Sequence, residues 1–109
     1  MANTFKLKTK ANVGVTTVGI YTAPAATTTV VIGITLSNTS GSGVNVGVGI
    51  TRAGTTEDIK LLKNAPIPQG SSLEFMGGNK VVLETTDTLT VDSDTNNSLD
   101  AALTIMEIT

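Results

Sequence analysis

Apolar and polar residues alternate with a period of two along almost the whole chain, a pattern that predicts strands. In "TTVVIGITLSN" the residues Val30, Ile32, Ile34 and Leu36 fall on an inward face, with Val31, Gly33, Thr35 and Ser37 opposite. "VNVGVGITR" repeats the arrangement, with Val44, Val46, Val48 and Ile50 on one face and Asn45, Gly47, Gly49 and Thr51 on the other. "TSGSG" lies between these two segments, and the three together predict a hairpin. "FKLKTKA" sets Phe5, Leu7 and Thr9 against Lys6, Lys8 and Lys10. "TTVGIYTAP" predicts a short strand ending at Pro24, and "IKLLKNAPI" one closed by Pro66 and Pro68. "SLEFM" and "KVVLE" read as two short strands around "GGN", and "TLTVD" as another. "LDAALTIMEIT" places Leu99, Ala101, Leu103 and Ile105 on one face. A helix capped by Ser98 is the alternative there, but the alternation and the Thr and Ile content favour a strand. "AGTTED", "PQGSS", "TTD" and "SDTNNS" supply the turns.

Eight or nine strands spaced by turn signals predict an all-β protein, a sandwich or a barrel. A length of 109 residues suits one domain, residues 1–109, without a linker. Residues 1–10 read as an edge strand or an N-terminal arm. Only 15% of residues are charged and 3% aromatic, while Thr, Val and Ile are plentiful, as a pleated surface prefers. The net charge is −2 and the pI about 4.8, so no basic field exists to attract nucleic acid. The lysines of "KLKTK" form the single basic cluster. They read as a solvated face or a guarded edge, with a contact to an acidic partner as the functional alternative. "MANTFKLKTK" lacks the apolar core of a secretory signal, and no run approaches the ~20 apolar residues that cross a bilayer, so no membrane partner is expected.

Candidate chemistry is sparse. With neither His nor Cys, the commonest general base, zinc ligands and strong nucleophile are missing, and no disulfide can form. Asp92, Asp94, Asn96 and Asp100 in "DSDTNNSLD" are the one candidate metal set, because oxygen ligands at alternate positions suit Ca²⁺. The pattern opens like an EF-hand loop, but Asn97 stands at the glycine position and Leu103 where the closing Glu belongs. A polar turn bonding its own backbone is the competing account. Glu74 and Glu84 could supply a carboxylate pair, yet the aromatic platforms of a glycoside cleft are missing. Asn38-Thr39-Ser40 and Asn96-Asn97-Ser98 match the glycosylation sequon. This inventory disfavours an enzyme and implies no cofactor. A glycan-binding module is disfavoured too, since there is no Trp and Tyr21 is the single Tyr.

The segment "IYTAPAATTTVVIGITLSNTSGSGVNVGVGI" resembles one recurring in small virion structural proteins of tailed phages, including phages of cyanobacteria and other marine bacteria. The shared elements are Tyr21, Thr22 and Pro24, the strand Thr27 to Leu36, the turn Asn38 to Ser40, and the strand Val44 to Ile50. "PIPQGSSLEFMGGNKVVLETTDTLTV" and "SLDAALTIMEIT" are similar to the same family's second half. The family often carries glycine where this chain has Ala25 or Ala26, and again at Thr86. The resemblance implies a single antiparallel β-sandwich, jelly-roll-like, built into the virion in many copies after assembly in the host cytoplasm. It implies capsid decoration or cementing, or alternatively a tail, neck or baseplate position, with other virion proteins as partners. A homo-oligomer follows, with a trimer favoured by virion symmetry. The expected assembly surface combines the arm residues Lys6 and Lys8 with the flat faces Gly33, Thr35, Ser37 and Asn45, Gly47, Gly49.

Overall fold

The computed structural model describes residues 3–75 and 80–109. Nine strands run through the described residues: β1 Asn3–Val13, β2 Val18–Thr22, β3 Thr28–Asn38, β4 Val44–Arg52, β5 Glu57–Ile67, β6 Ser72–Phe75, β7 Val81–Leu83, β8 Thr88–Ser93 and β9 Leu99–Ile108. The turn expected at Gly77, Gly78 and Asn79 lies outside the described residues. Ser98 caps no helix. Its hydroxyl donates to the Thr95 carbonyl at 2.6 Å and meets Ser93 Oγ at 2.7 Å, which closes the loop from β8 to β9.

The strands form two antiparallel sheets packed as a sandwich. The first has the order β1-β9-β3, with β6 and β7 pairing successive halves of β3's other edge. The second has the order β2-β8-β4-β5. Most consecutive strands therefore lie in opposite sheets, which is the winding of a jelly roll. β3 and β4 follow this rule, so the predicted hairpin between them does not exist: β3 belongs to one sheet and β4 to the other. Each strand buries its apolar face by opposing the other across the core instead of pairing edge to edge. Asn38 organises the resulting arch. Its Oδ1 accepts from Ser40 N at 2.9 Å and its Nδ2 donates to the carbonyls of Ser42 and Ile67 at 2.8 and 3.0 Å. Asn38 is thereby buried, so its sequon offers no free side chain.

The core is filled by Ile34, Leu36, Leu83, Leu89, Leu103 and Ile105 among others, each side chain contributing roughly 1.5–3 kcal/mol by leaving water. β4 and β9 turn inward the residues that alternation assigns to them. β3 does so only in its second half. Its pairing with β9 shifts register between Val31 and Gly33, so Ile32 is a bulge. Before the bulge the phase is reversed: Thr29 and Val31 are buried, and Val30 faces outward with Ile32 half-exposed. Ala26 and Thr86 have φ of 56° and 72°. Both turns thus take the left-handed geometry that glycine prefers.

Candidate assembly surface

β1 keeps its alternation, but its faces are the reverse of an apolar-in strand. Residues directly opposite in an antiparallel pair share a face. Lys6, Lys8 and Lys10 stand opposite Ile105, Leu103 and Ala101, on the inner side, while Phe5 stands opposite Met106 on the outer side. Phe5 and Leu7 are 68% and 65% exposed. On that side Lys6 meets Glu107, a buried carboxylate in phase with the core residues of β9. Lys6 Nζ sits 2.8 Å from Glu107 Oε1. The Tyr21 hydroxyl donates to Glu107 Oε2 at 2.6 Å and lies 2.8 Å from Thr29 Oγ1. One polar cluster therefore ties β1, β2, β3 and β9 together. The hydrogen bond from Lys6, then that from Tyr21, holds the Glu107 carboxyl below its ordinary range against the opposing effect of burial. Burial, reinforced by the bond to Glu107, pushes the Tyr21 hydroxyl up to about 12.

The outer face of the first sheet is apolar at one end. Register places Phe5 of β1, Met106 of β9, Val30 of β3 and Val82 of β7 in one continuous cross-strand row. Val82 is 55% exposed. Leu7, Thr104 and Gly33 form the next row, and Thr9, Ala102, Thr35 and Glu74 the one beyond it, with Ser37 opposite Asp100 and Ser72 farther along. Gly33, Thr35 and Ser37 thus lie on the same half-exposed face as Phe5 and Leu7.

The second sheet arranges its glycines differently. Asn45 is exposed, but Gly47 and Gly49 are buried. Asp92 stands opposite Gly47 and Lys60 opposite Gly49, and their 3.7 Å ion pair crosses over β4 between them. A Cβ at Gly47 would come within 2.6 Å of Asp92 Oδ1, and one at Gly49 within 2.8 Å of the Ile59 carbonyl. These glycines make room for their own neighbours, so the surface above them consists of Asp92, Lys60 and Thr17, whose hydroxyl donates to Asp92 at 2.8 Å.

The four candidate calcium ligands do not converge. Asp92 faces Thr17 and Lys60, Asp94 accepts from Asn45 N at 3.2 Å, Asn96 from Val15 N at 3.4 Å, and Asp100 from Asn12 N at 3.0 Å. Among the described residues no group of three or more acidic side chains could hold a metal ion. Glu74 lies on the outer face of β6, while Glu84 pairs with Arg52, whose Nε also reaches buried Asp87 at 3.3 Å. Those two carboxylates belong to separate settings.

No family model matches the chain, and no curated protein matches it. Solved structures do. A chain from Bacillus endospore appendages, which form a family of disulfide-linked pili, superposes with a TM-score of 0.57 at 16% identity, covering 99% of this chain and 87% of that one. A chain of infectious bursal disease virus, Gx strain, gives 0.52 at 12% identity over 95% of this chain and 32% of its own, so the protein spans about a third of the viral chain. A pentameric capsid protein from metagenomic phage sequences gives 0.45 at 18% identity over 94% and 59% of the two chains, a superposition too loose to carry an argument. At these identities the likeness shows the fold alone: a β-sandwich shared with a chain of a pilus and a chain of a virus.

Proposed function

We propose that the protein is a non-enzymatic structural subunit acting by multicopy assembly, as a capsid decoration or cement protein of a tailed-phage virion. The observation that carries this reading is the apolar row on the outside of a sheet, with Phe5 and Val82 exposed at its ends and Met106 and Val30 half-buried between them. An apolar patch left in water marks an interaction surface. The jelly-roll sandwich supports it, because flat sheet faces suit tiling against neighbours. Residues 1–109 act as one unit, other virion proteins are the partners, and the chain is homo-oligomeric, with a trimer expected from virion symmetry. Neither nucleic acid nor membrane is a partner. The endospore appendages are disulfide-linked, whereas this chain has no cysteine, so no disulfide joins its copies.

A tail, neck or baseplate position is the alternative within the same class. A host-glycan-binding module is the alternative of another class. Against it stands the aromatic inventory: no Trp, and a Tyr21 that is 8% exposed with its hydroxyl engaged in the core. A cryo-EM map of the parent particle tests the reading. Copies at symmetry-related positions on the shell are expected. A particle without the chain, or strong specific hits on a glycan array, would overturn it.

A further inference from the structure

Building on the multicopy reading, we propose that the outer face of the first sheet is a self-complementary surface whose occupant is a second copy of this chain. The face is bulky at one end and hollow at the other. Its bulky end is the row through Phe5, Met106 and Val30. Four residues along the strands, ~13 Å away, lies the row of small residues Thr9, Ala102 and Thr35. Ala102 separates two side-chain-sized hollows. One, of about 250 Å³, is bounded by Thr9, Ala11, Thr35 and Ser37. The other, of about 260 Å³, is bounded by Ile32, Gly33, Glu74 and Thr104.

A two-fold axis lying in the plane of the face, across the strands at Leu7 and Gly33, exchanges the two ends. It sets Phe5, Met106 and Val30 of each copy onto Thr9, Ala102 and Thr35 of the other, large onto small in both directions. Such mutual matching is what an isologous contact requires.

Charge and area also select a second copy. The rows through Phe5 and Leu7 carry no ionisable side chain. A charged partner therefore finds no counter-charge there. The acids Glu74 and Asp100 lie at the hollow end, and the two-fold carries them to the rim of the contact, beside Val82 and Ile108 of the other copy, so the two acidic ends stay apart. β1, β9 and β3 run ten or eleven residues each and cover ~35 by ~14 Å, and β6 and β7 add a short fourth strand width, so the face measures ~600 Å². That approaches the ~800 Å² per partner of a standard stable interface.

Sedimentation equilibrium of the full chain from micromolar to millimolar concentration tests this. This face closes at two copies, so a dimer of twice the 11.1 kDa chain mass is expected in place of the trimer that virion symmetry suggests, and a trimer overturns the two-fold contact. Phe5→Asp should weaken association at least tenfold while leaving the melting of the monomer unchanged, because Phe5 is 68% exposed. Adding Thr9→Lys to the same chain should restore association to within a few-fold of the parent at low salt, and lose it again at high salt. Within one copy residues 5 and 9 are ~13 Å apart on one strand, too far for that rescue. A parent that stays monomeric, association indifferent to Phe5→Asp, or no rescue by Thr9→Lys overturns the proposal. The two readings fail separately: a dimer whose chain is missing from the particle removes the virion role alone, and a chain found in the particle but monomeric in solution removes this face alone.

Discussion

Replacing Tyr21 by Phe removes one oxygen atom, and the surroundings of that oxygen set the cost. The hydroxyl donates to Glu107 at 2.6 Å and lies 2.8 Å from Thr29 Oγ1. Tyr21 is 8% exposed and Thr29 fully buried, so water does not replace the lost partner. A hydrogen bond to a charged group contributes about 1.5–3 kcal/mol, and a buried hydroxyl that loses a partner adds about 1 kcal/mol. Lys6 bounds the loss from above. It still pairs with Glu107 at 2.8 Å, so the larger penalty of an unpaired buried charge does not apply. The expected destabilisation at neutral pH is about 2.5–4 kcal/mol, a fall in melting temperature of roughly 12–20 °C for a chain of this size. Urea unfolding followed by far-ultraviolet circular dichroism measures it. Fluorescence would not, because the chain has no Trp and the substitution removes its one Tyr. An unchanged m-value with a loss under about 0.5 kcal/mol would refute the claim that this cluster stabilises the end of the sandwich.

The same hydroxyl gives a pH prediction. Its pKa is raised to about 12, so its contribution is complete below the unfolded value near 10 and is lost as pH rises through 12. Ultraviolet titration of tyrosinate should show one transition near 12 in the folded protein and near 10 in urea; coincident midpoints would contradict the buried pairing. Thr86→Gly should stabilise the chain by about 1 kcal/mol in thermal melts, because a β-branched residue is strained at φ 72°, and a destabilised variant would show that the turn is held by Thr86's own contacts. Gly49→Ala should cost about 1–3 kcal/mol by pressing a methyl group against the Ile59 carbonyl of the paired strand, and a neutral result would mean that β5 yields freely there.

Much of the fold is legible in the order of residues, and the exceptions have physical causes. The faces of β4 and β9 follow from unbroken alternation. In β3 the run Val30, Val31, Ile32 is apolar throughout, so it accepts a bulge without exposing anything unusual, and the phase of its first half cannot be inferred. The arch at Asn38 uses the residues a hairpin would use. Its distinguishing bonds run to the carbonyls of Ile67 and Pro68, far along the chain. The reversal of β1 was marked by a signal in β9: Glu107 falls in step with Leu103 and Ile105, and an acid on a core face needs a cation. Lys6 supplies it from across a register that only the fold defines. The assembly candidates divide in the same way. Gly33, Thr35 and Ser37 share the outer face as alternation implies, while Gly47 and Gly49 lie beneath an ion pair whose two halves come from β5 and β8.

The place of β9 has a consequence for the order in which the protein is made. It is the ninth strand along the chain, yet it lies between the first and the third, with Asn3 paired to Ile108 on one side and Thr28 to Ile108 on the other. While a ribosome is still translating this region, β1 has no edge to join and Glu107 has not reached Lys6 or Tyr21. Met106 and Ala102 are missing from the outer face as well. A chain broken off before β9 therefore presents neither the bulky row nor the hollows opposite it. On the proposed two-fold contact, late delivery of this inner strand makes its completion a condition for pairing with another copy.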